Sequence, residues 1–507
     1  MARSATCVGL ATTAAAFVSA TSIATASVTT HATQMTEDSD APTTADAPTF
    51  MSFITLSTFP SLAANLSKLN LRNQGFVQVP AEVWACEQLT QLDIGGNPVT
   101  ALEGIQALGK LRIFFATGCK LGPVLPPDGP LAQLGSLTML SIADNGLRVL
   151  DGAALPASLE WLIAKQNQLA EVRNAHRLCR VRKLGLAHNQ LNTEMVRTLV
   201  REGGAALELL RISCNPIESL PEELWSACCP RLAWFGCAGS PYHQRHAEAA
   251  LALVSAEEGV MQLADGSEVE VGAELGRGSG AVVREGVWHG KPVAVKVWHD
   301  ACSSDGLARD EWQMGQLTGG CAHLVRALAA WEHPALGMAV ELLRGASAVG
   351  GPPSFDTCTR DTFAEGKHAR RSAAGAWLVA LTVCRACAWL HARGLCHGDV
   401  YLHNTLCVPP ADDGDAGDVR LSDLGATCAY DRAAGDQLER VEVRSFGRLV
   451  HDLLSWLTPP SSPQEHTLVA SMAALADRCD ARSLEEVPTF ASVAEQLAAF
   501  LPAACAP

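Results

Sequence analysis

The sequence predicts an α/β repeat solenoid followed by a two-lobed α+β fold. Three observations carry this. Residues 66–240 repeat a leucine-spaced pattern. A glycine-rich stretch at 275–283 precedes Val293-Ala-Val-Lys296. Residues 391–425 bring His397-Gly-Asp399, Asn404 and Asp423-Leu-Gly425 together in a fixed order. The reading divides the chain into a segment 1–60, a repeat domain 61–245, a linker 246–267 and a C-terminal domain 268–502.

Segment 1–60 is rich in Ala, Thr and Ser, and Arg3 is followed by a mildly apolar run. It reads as a disordered or targeting segment, and Met35 or Met51 offers an alternative start. No stretch is expected to reach the length and hydrophobicity of a membrane span. The 507 residues hold 53 acidic and 38 basic side chains, a net charge of −15, which argues against a general nucleic-acid binder. Eighteen cysteines are scattered without a framework, as free thiols in a reducing compartment would be. The CxxC at Cys384 and Cys387 falls in a helical run with Leu378, Leu381 and Trp389, so core packing is expected there.

The repeat reads L-x-x-L-x-L/I-x-x-N-x-L. One copy is Leu89, Leu92, Ile94, Asn97 and Val99, and another is Leu137, Leu140, Ile142, Asn145 and Leu147. Further copies place their asparagines at Asn167, Asn189 and Asn215. Looser copies surround Leu69 and Phe114, and a degenerate one runs through Leu232, Phe235 and Cys237. This is the spacing of a leucine-rich repeat. Each copy would lay a short strand on a concave face, and the asparagine would satisfy backbone groups at the following turn. Gln91, Asp93, Phe115, Ser141, Trp161, Lys183, Gly185, Arg211 and Trp234 become candidate contacts on that face. They would meet a protein substrate or regulator, or the chain's own C-terminal domain.

The C-terminal domain begins with glycines at Gly276, Gly278 and Gly280, which would let backbone N–H groups approach phosphates. Val283 and Ala294 would line an adenine pocket, and Lys296 would hold the α- and β-phosphates. Glu311, in a helix expected over 307–317, would orient Lys296, with Asp310 as the alternative. Val340 would sit at the back of the pocket, and backbone groups near Glu341 and Leu343 would meet the adenine edge.

The run His397-Gly398-Asp399-Val-Tyr401-Leu-His403-Asn404 resembles the catalytic loop of a divergent branch of leucine-rich repeat protein kinases within the eukaryotic-type superfamily. The resemblance spans roughly residues 65–495. It implies a leucine-rich repeat solenoid joined to a two-lobed protein kinase fold, with ATP and Mg²⁺ as cofactors. Asp399 would accept or orient the substrate hydroxyl, and Asn404 and Asp423 would hold the metal.

Four departures from the family matter. Gly398 stands where an arginine is usual. Tyr401 replaces the lysine that compensates charge on the transferring phosphoryl group, leaving His403, Arg420 or a substrate group to do so, or else a low rate. The segment from Asp423 to Gly447 is short, and an ion pair that would anchor it is missing on both sides. Glu442 takes the position of an aspartate that braces the catalytic loop. The acidic insert at 412–418 reads as a solvated loop.

The expected function is an intracellular protein kinase of serine/threonine type, cytoplasmic unless segment 1–60 targets it to an organelle. The alternatives are a nucleotide-binding pseudokinase scaffold and a kinase of a non-protein substrate.

Overall fold

The computed structural model describes residues 66–254, 262–277, 280–299, 302–303, 305–316, 320–409 and 417–500. Segment 1–60, Gly278 and most of the acidic insert lie outside the described residues.

The N-terminal part is a repeat of strand and turn. Each sequence copy contributes a three-residue strand: Lys68–Asn70, Gln91–Asp93, Ile113–Phe115, Met139–Ser141, Trp161–Ile163, Lys183–Gly185, Leu209–Arg211 and Trp234–Gly236. They form one parallel sheet in that order. Leu69 pairs with Leu92, Leu92 with Phe114, and Leu210 with Phe235. Because side chains alternate along a strand, the middle residue of each points into the solenoid. Leu92, Phe114, Leu140, Leu162, Leu184, Leu210 and Phe235 are all buried there.

The asparagines follow as a ladder that spends its polar atoms on backbone. Asn167 Nδ2 donates to Ile142 O and Ala164 O, while its Oδ1 accepts from Asn145 N and Leu147 N. Cys119 occupies the same place in its copy and donates from Sγ to Ile94 O. The returning side uses 3₁₀ turns and one longer helix, Thr193–Gly203, capped by Asn192.

Part of the segment read as a linker is regular structure. A helix runs over Pro241–Val254, and its buried residues His243, Ala247 and Ala250 recur at helical spacing. Arg245 and Glu248 of this helix lie on its exposed faces, which gave the segment the polarity of a linker.

The C-terminal part is a six-stranded mixed sheet followed by helices. Ala281–Trp288, Lys291–Trp298 and Gly337–Glu341 run antiparallel through its centre. The helix expected over 307–317 spans Ala308–Gly315. Beyond lie the helices Ala373–His391, Gln437–Ser455, Pro463–Cys479 and Phe490–Ala499.

Ala373–His391 corrects one expectation, because it is long and apolar enough to cross a membrane by length and composition. Its residues are mostly buried inside the fold, and Trp377 Nε1 donates to Leu497 O at 2.8 Å. The apolarity belongs to a core helix. Cys384 and Cys387 lie on it with no exposed surface, and burial pushes both thiols up.

One buried apolar cluster runs without a break from the repeat leucines, through Phe235 and Cys237, into Cys396, Cys428, Phe446 and Phe490 of the C-terminal part. The two parts share a core.

Candidate functional site

A cavity of about 620 Å³ lies between the mixed sheet and the helical part. Gly276, Val283, Ala294, Lys296, Val340, Glu341, Leu343 and Asp423 line it. A smaller cavity of about 280 Å³ shares Gly276, Lys296 and Asp423 and adds Gly280, Asp305 and Gly425. The antiparallel pairing explains part of this convergence, since Val283 faces Lys296 and Ala294 faces Val340 across strands. A larger cavity of about 780 Å³ lies elsewhere, between Glu218, Arg245, Asp436 and Arg440, and holds none of the predicted site residues.

Lys296 Nζ forms an ion pair with Glu311, whose other oxygen accepts from Trp298 Nε1 at 3.0 Å. Asp310, the alternative partner, instead closes the turn ahead of its helix by accepting from Leu307 N. Asp423 Oδ1 lies 4.0 Å from Lys296 Nζ. Burial works against the Lys296 charge, but Glu311 and Asp423 outweigh it and raise the ammonium's pKa. Burial lifts Glu311, and the neighbouring Asp423 charge adds to this. The Asp423 side chain is about half exposed, and what desolvation it suffers pushes it up, yet the Lys296 charge and the Gly425 N–H bring it below the usual carboxylate range. Its backbone has φ of +63°, a conformation few residues other than glycine adopt. Gly425 N donates back to its Oδ1 at 3.1 Å.

Asp399 is held from two sides. Asn404 Nδ2 donates to Asp399 Oδ2 at 2.6 Å and to its backbone oxygen at 3.0 Å. Arg211 Nη2 donates to Asp399 Oδ1 at 2.7 Å. With its amide nitrogen committed to Asp399, Asn404 keeps its carbonyl oxygen as an acceptor. His397 ties the two loops together, since Nδ1 accepts from Asp399 N and Nε2 donates to Ser422 O. Asp361, which sequence reasoning missed, accepts from Leu402 N and holds His403 Nδ1, both at 2.7 Å. Arg420 pairs with Asp418 and Glu341.

Beneath the loop, Glu442 acts as a brace. Its Oε1 accepts from Gly398 N at 2.5 Å and from Cys396 Sγ at 3.2 Å. Its Oε2 accepts from His397 N and from His391 Nε2. Burial pushes this carboxyl up, but these donors overcome it and hold the pKa at about 2. His391, Cys396 and Glu442 bring ligand atoms within 4.8 Å of one another, a spacing that would suit a metal ion. Both Glu442 oxygens already accept two hydrogen bonds each, so the group is accounted for as a brace.

The repeat region borders this site. The Trp234 indole stacks on Tyr401 and donates from Nε1 to Val400 O at 3.2 Å. Arg211 also donates to Gly398 O and to Asp305. His188 reaches Ser303 O, and His243 Nδ1 accepts from Ala429 N. Glu208, buried among Arg182, Thr359 and Arg448, is held ionised against the cost of burial. Phe115 and Trp161 both pack on Phe355. Much of the face read as a partner surface is therefore covered by the chain itself. The signal was present in the sequence as Glu208 and Arg211, two charges beside a buried strand.

A scan against protein-family models and a search of curated proteins found no match to this chain.

Proposed function

We propose that the chain is an ATP- and Mg²⁺-dependent protein kinase of serine/threonine type, built as a leucine-rich repeat solenoid joined to a two-lobed kinase fold. One observation carries the reading. Lys296, paired with Glu311, borders the same cavity as Asp423, while Asp399 and Asn404 are bonded to each other in the adjoining loop. Phosphoryl transfer is mostly positioning and charge compensation, and these groups meet that need.

The adenine would lie among Val283, Ala294 and Val340, and Lys296 would hold the phosphates. The donor set suits a hard cation, because Asp423 offers a carboxylate held ionised and Asn404 an amide oxygen. Mg²⁺ there would neutralise phosphate charge. Asp399 would orient the acceptor hydroxyl and take its proton. The free thiols of the described cysteines support a reducing compartment, and the cytoplasm also supplies ATP.

The test is transfer from γ-labelled ATP with Mg²⁺ by the full chain, to itself and to casein, with Asp399→Asn beside it. Transfer that falls by roughly 10²–10⁴-fold in the variant supports the reading. Saturable nucleotide binding without transfer in either protein would favour a nucleotide-binding scaffold instead.

A further inference from the structure

We propose that Arg211, contributed by the repeat region, is a positioning residue of the catalytic loop that fixes the carboxylate of Asp399. The proposal rests on the kinase reading above and adds a residue from outside the kinase fold to it.

The geometry is specific. Arg211 ends the strand Leu209–Arg211, and its side chain is 6 % exposed. A buried guanidinium needs matched acceptors, and the described residues supply three. Nη2 donates to Asp399 Oδ1 at 2.7 Å, Nη1 to Gly398 O at 2.8 Å and Nε to Asp305 Oδ1 at 2.9 Å. Asp305 lines the smaller cavity together with Lys296 and Asp423. The guanidinium thus bridges the loop carrying Asp399 and the Asp305 rim of the smaller cavity. With Asn404 on Oδ2 and Arg211 on Oδ1, the Asp399 carboxylate is fixed in one orientation.

The other cations near the loop have carboxylate partners away from Asp399. His403 is held by Asp361, and Arg420 by Asp418 and Glu341. Tyr401 cannot become a cation, and it serves instead as the surface on which Trp234 stacks. Gly398 fits the same arrangement. Its φ is +77°, and a Cβ there would come 2.6 Å from Ala426 O and 3.0 Å from Phe235 O of the last repeat strand. Both sequence departures around Asp399 are thus places where the repeat region touches the loop.

A contact on a catalytic aspartate could equally block it. Two observations favour completion of the site. The buried cluster runs unbroken between the two parts, so release would expose core. The Lys296–Glu311 pair is also formed while Arg211 is in place. In the transfer, the acceptor oxygen bonds to the γ-phosphorus as the bond to the β-phosphate oxygen breaks. Asp399 takes the hydroxyl proton, and ADP leaves with the electron pair. Arg211 holds Asp399 for that role.

The experiment uses the full chain, γ-labelled ATP, Mg²⁺ and casein, with autophosphorylation followed in parallel. Arg211→Ala, Arg211→Lys and Thr359→Ala are compared, the last loosening the same interface away from the loop. Thermal unfolding of each checks the fold. The expected result is a loss in kcat of about 10²–10³-fold for Arg211→Ala, with nucleotide KM changed less than about threefold. Arg211→Lys should recover part of the loss, millimolar guanidinium should partly rescue Arg211→Ala, and Thr359→Ala should keep near wild-type kcat. Equal loss in Thr359→Ala, or a loss in Arg211→Ala that guanidinium and lysine leave untouched, would reduce Arg211 to an interface contact. Arg211→Ala activity equal to or above wild type would overturn the proposal and mark the contact as inhibitory. A wild-type chain with no transfer to any acceptor would remove the kinase reading, and this proposal with it.

Discussion

The rings of Trp234 and Tyr401 lie parallel, 2° apart in plane, with centroids 4.7 Å from each other. One belongs to the last strand of the repeat sheet and the other to the loop of Asp399. The pair joins the two parts of the chain two residues from Asp399. Leu209 and Ala233 pack around it, and Arg448 lies over the Trp234 ring.

Trp234→Ala should therefore cost more than a surface aromatic would. It removes a fully buried ring and the hydrogen bond to Val400 O. Loss of about 3–5 kcal/mol is expected in urea unfolding. Because the core is shared, the wild type should unfold in one transition by both far-UV circular dichroism and tryptophan fluorescence. Two separated transitions would contradict the shared core.

Gly398→Ala tests whether glycine at this position reflects the docking of the repeat region against the loop. The positive φ alone costs on the order of 1–3 kcal/mol for a residue with a Cβ. The contacts with Ala426 O and Phe235 O add to that. A clear drop in Tm is expected. A variant as stable as wild type would show that the loop has room for a side chain.

Glu442→Gln should alter the acid limb of stability. The carboxyl has a pKa of about 2 in the fold against 4.5 for the ordinary glutamate. A depressed carboxyl contributes stability that is present above the unfolded value and is lost as pH falls through the folded one. The wild type should thus lose about 3 kcal/mol from this group between roughly pH 5 and pH 2. Urea unfolding at pH 7, 4 and 3 should show a shallower decline in the variant. The variant should also be less stable at pH 7, where His397 N and Gly398 N lose a charged acceptor.

Asn189→Ala probes the repeat ladder. Asn189 Oδ1 accepts from Leu169 N, and its Nδ2 donates to Ala164 O and Leu186 O, all at 3.0 Å. Removing the side chain leaves buried backbone groups without those partners. A cost of about 1–3 kcal/mol in urea unfolding is expected. An unchanged midpoint would mean that water replaces the amide.

The repeat strands were legible because leucine spacing and side-chain alternation are local rules. Each copy, even the degenerate one ending at Cys237, coincides with a strand. The cavity-lining set was legible for a similar reason. Val283, Ala294, Lys296 and Val340 meet through antiparallel pairing of neighbouring strands. The helix Pro241–Val254 was missed because its charged face masked a narrow buried one. The helix Ala373–His391 was misjudged because its apolar length is set by burial on nearly all sides.

The sequence by itself determined the order of strands and turns, the asparagine ladder, and the residue types gathered around the cavity. These follow from periodicity and from neighbours close along the chain. Only the tertiary structure decided where Arg211, Glu208 and Trp234 go. Their partners Asp399, Thr359 and Tyr401 lie far along the chain, and no local spacing connects them. The physical reason is burial. A guanidinium, a carboxylate and an indole along the repeat strands must be covered by groups that match them, and in this chain the covering surface is the loop of Asp399 and its surroundings.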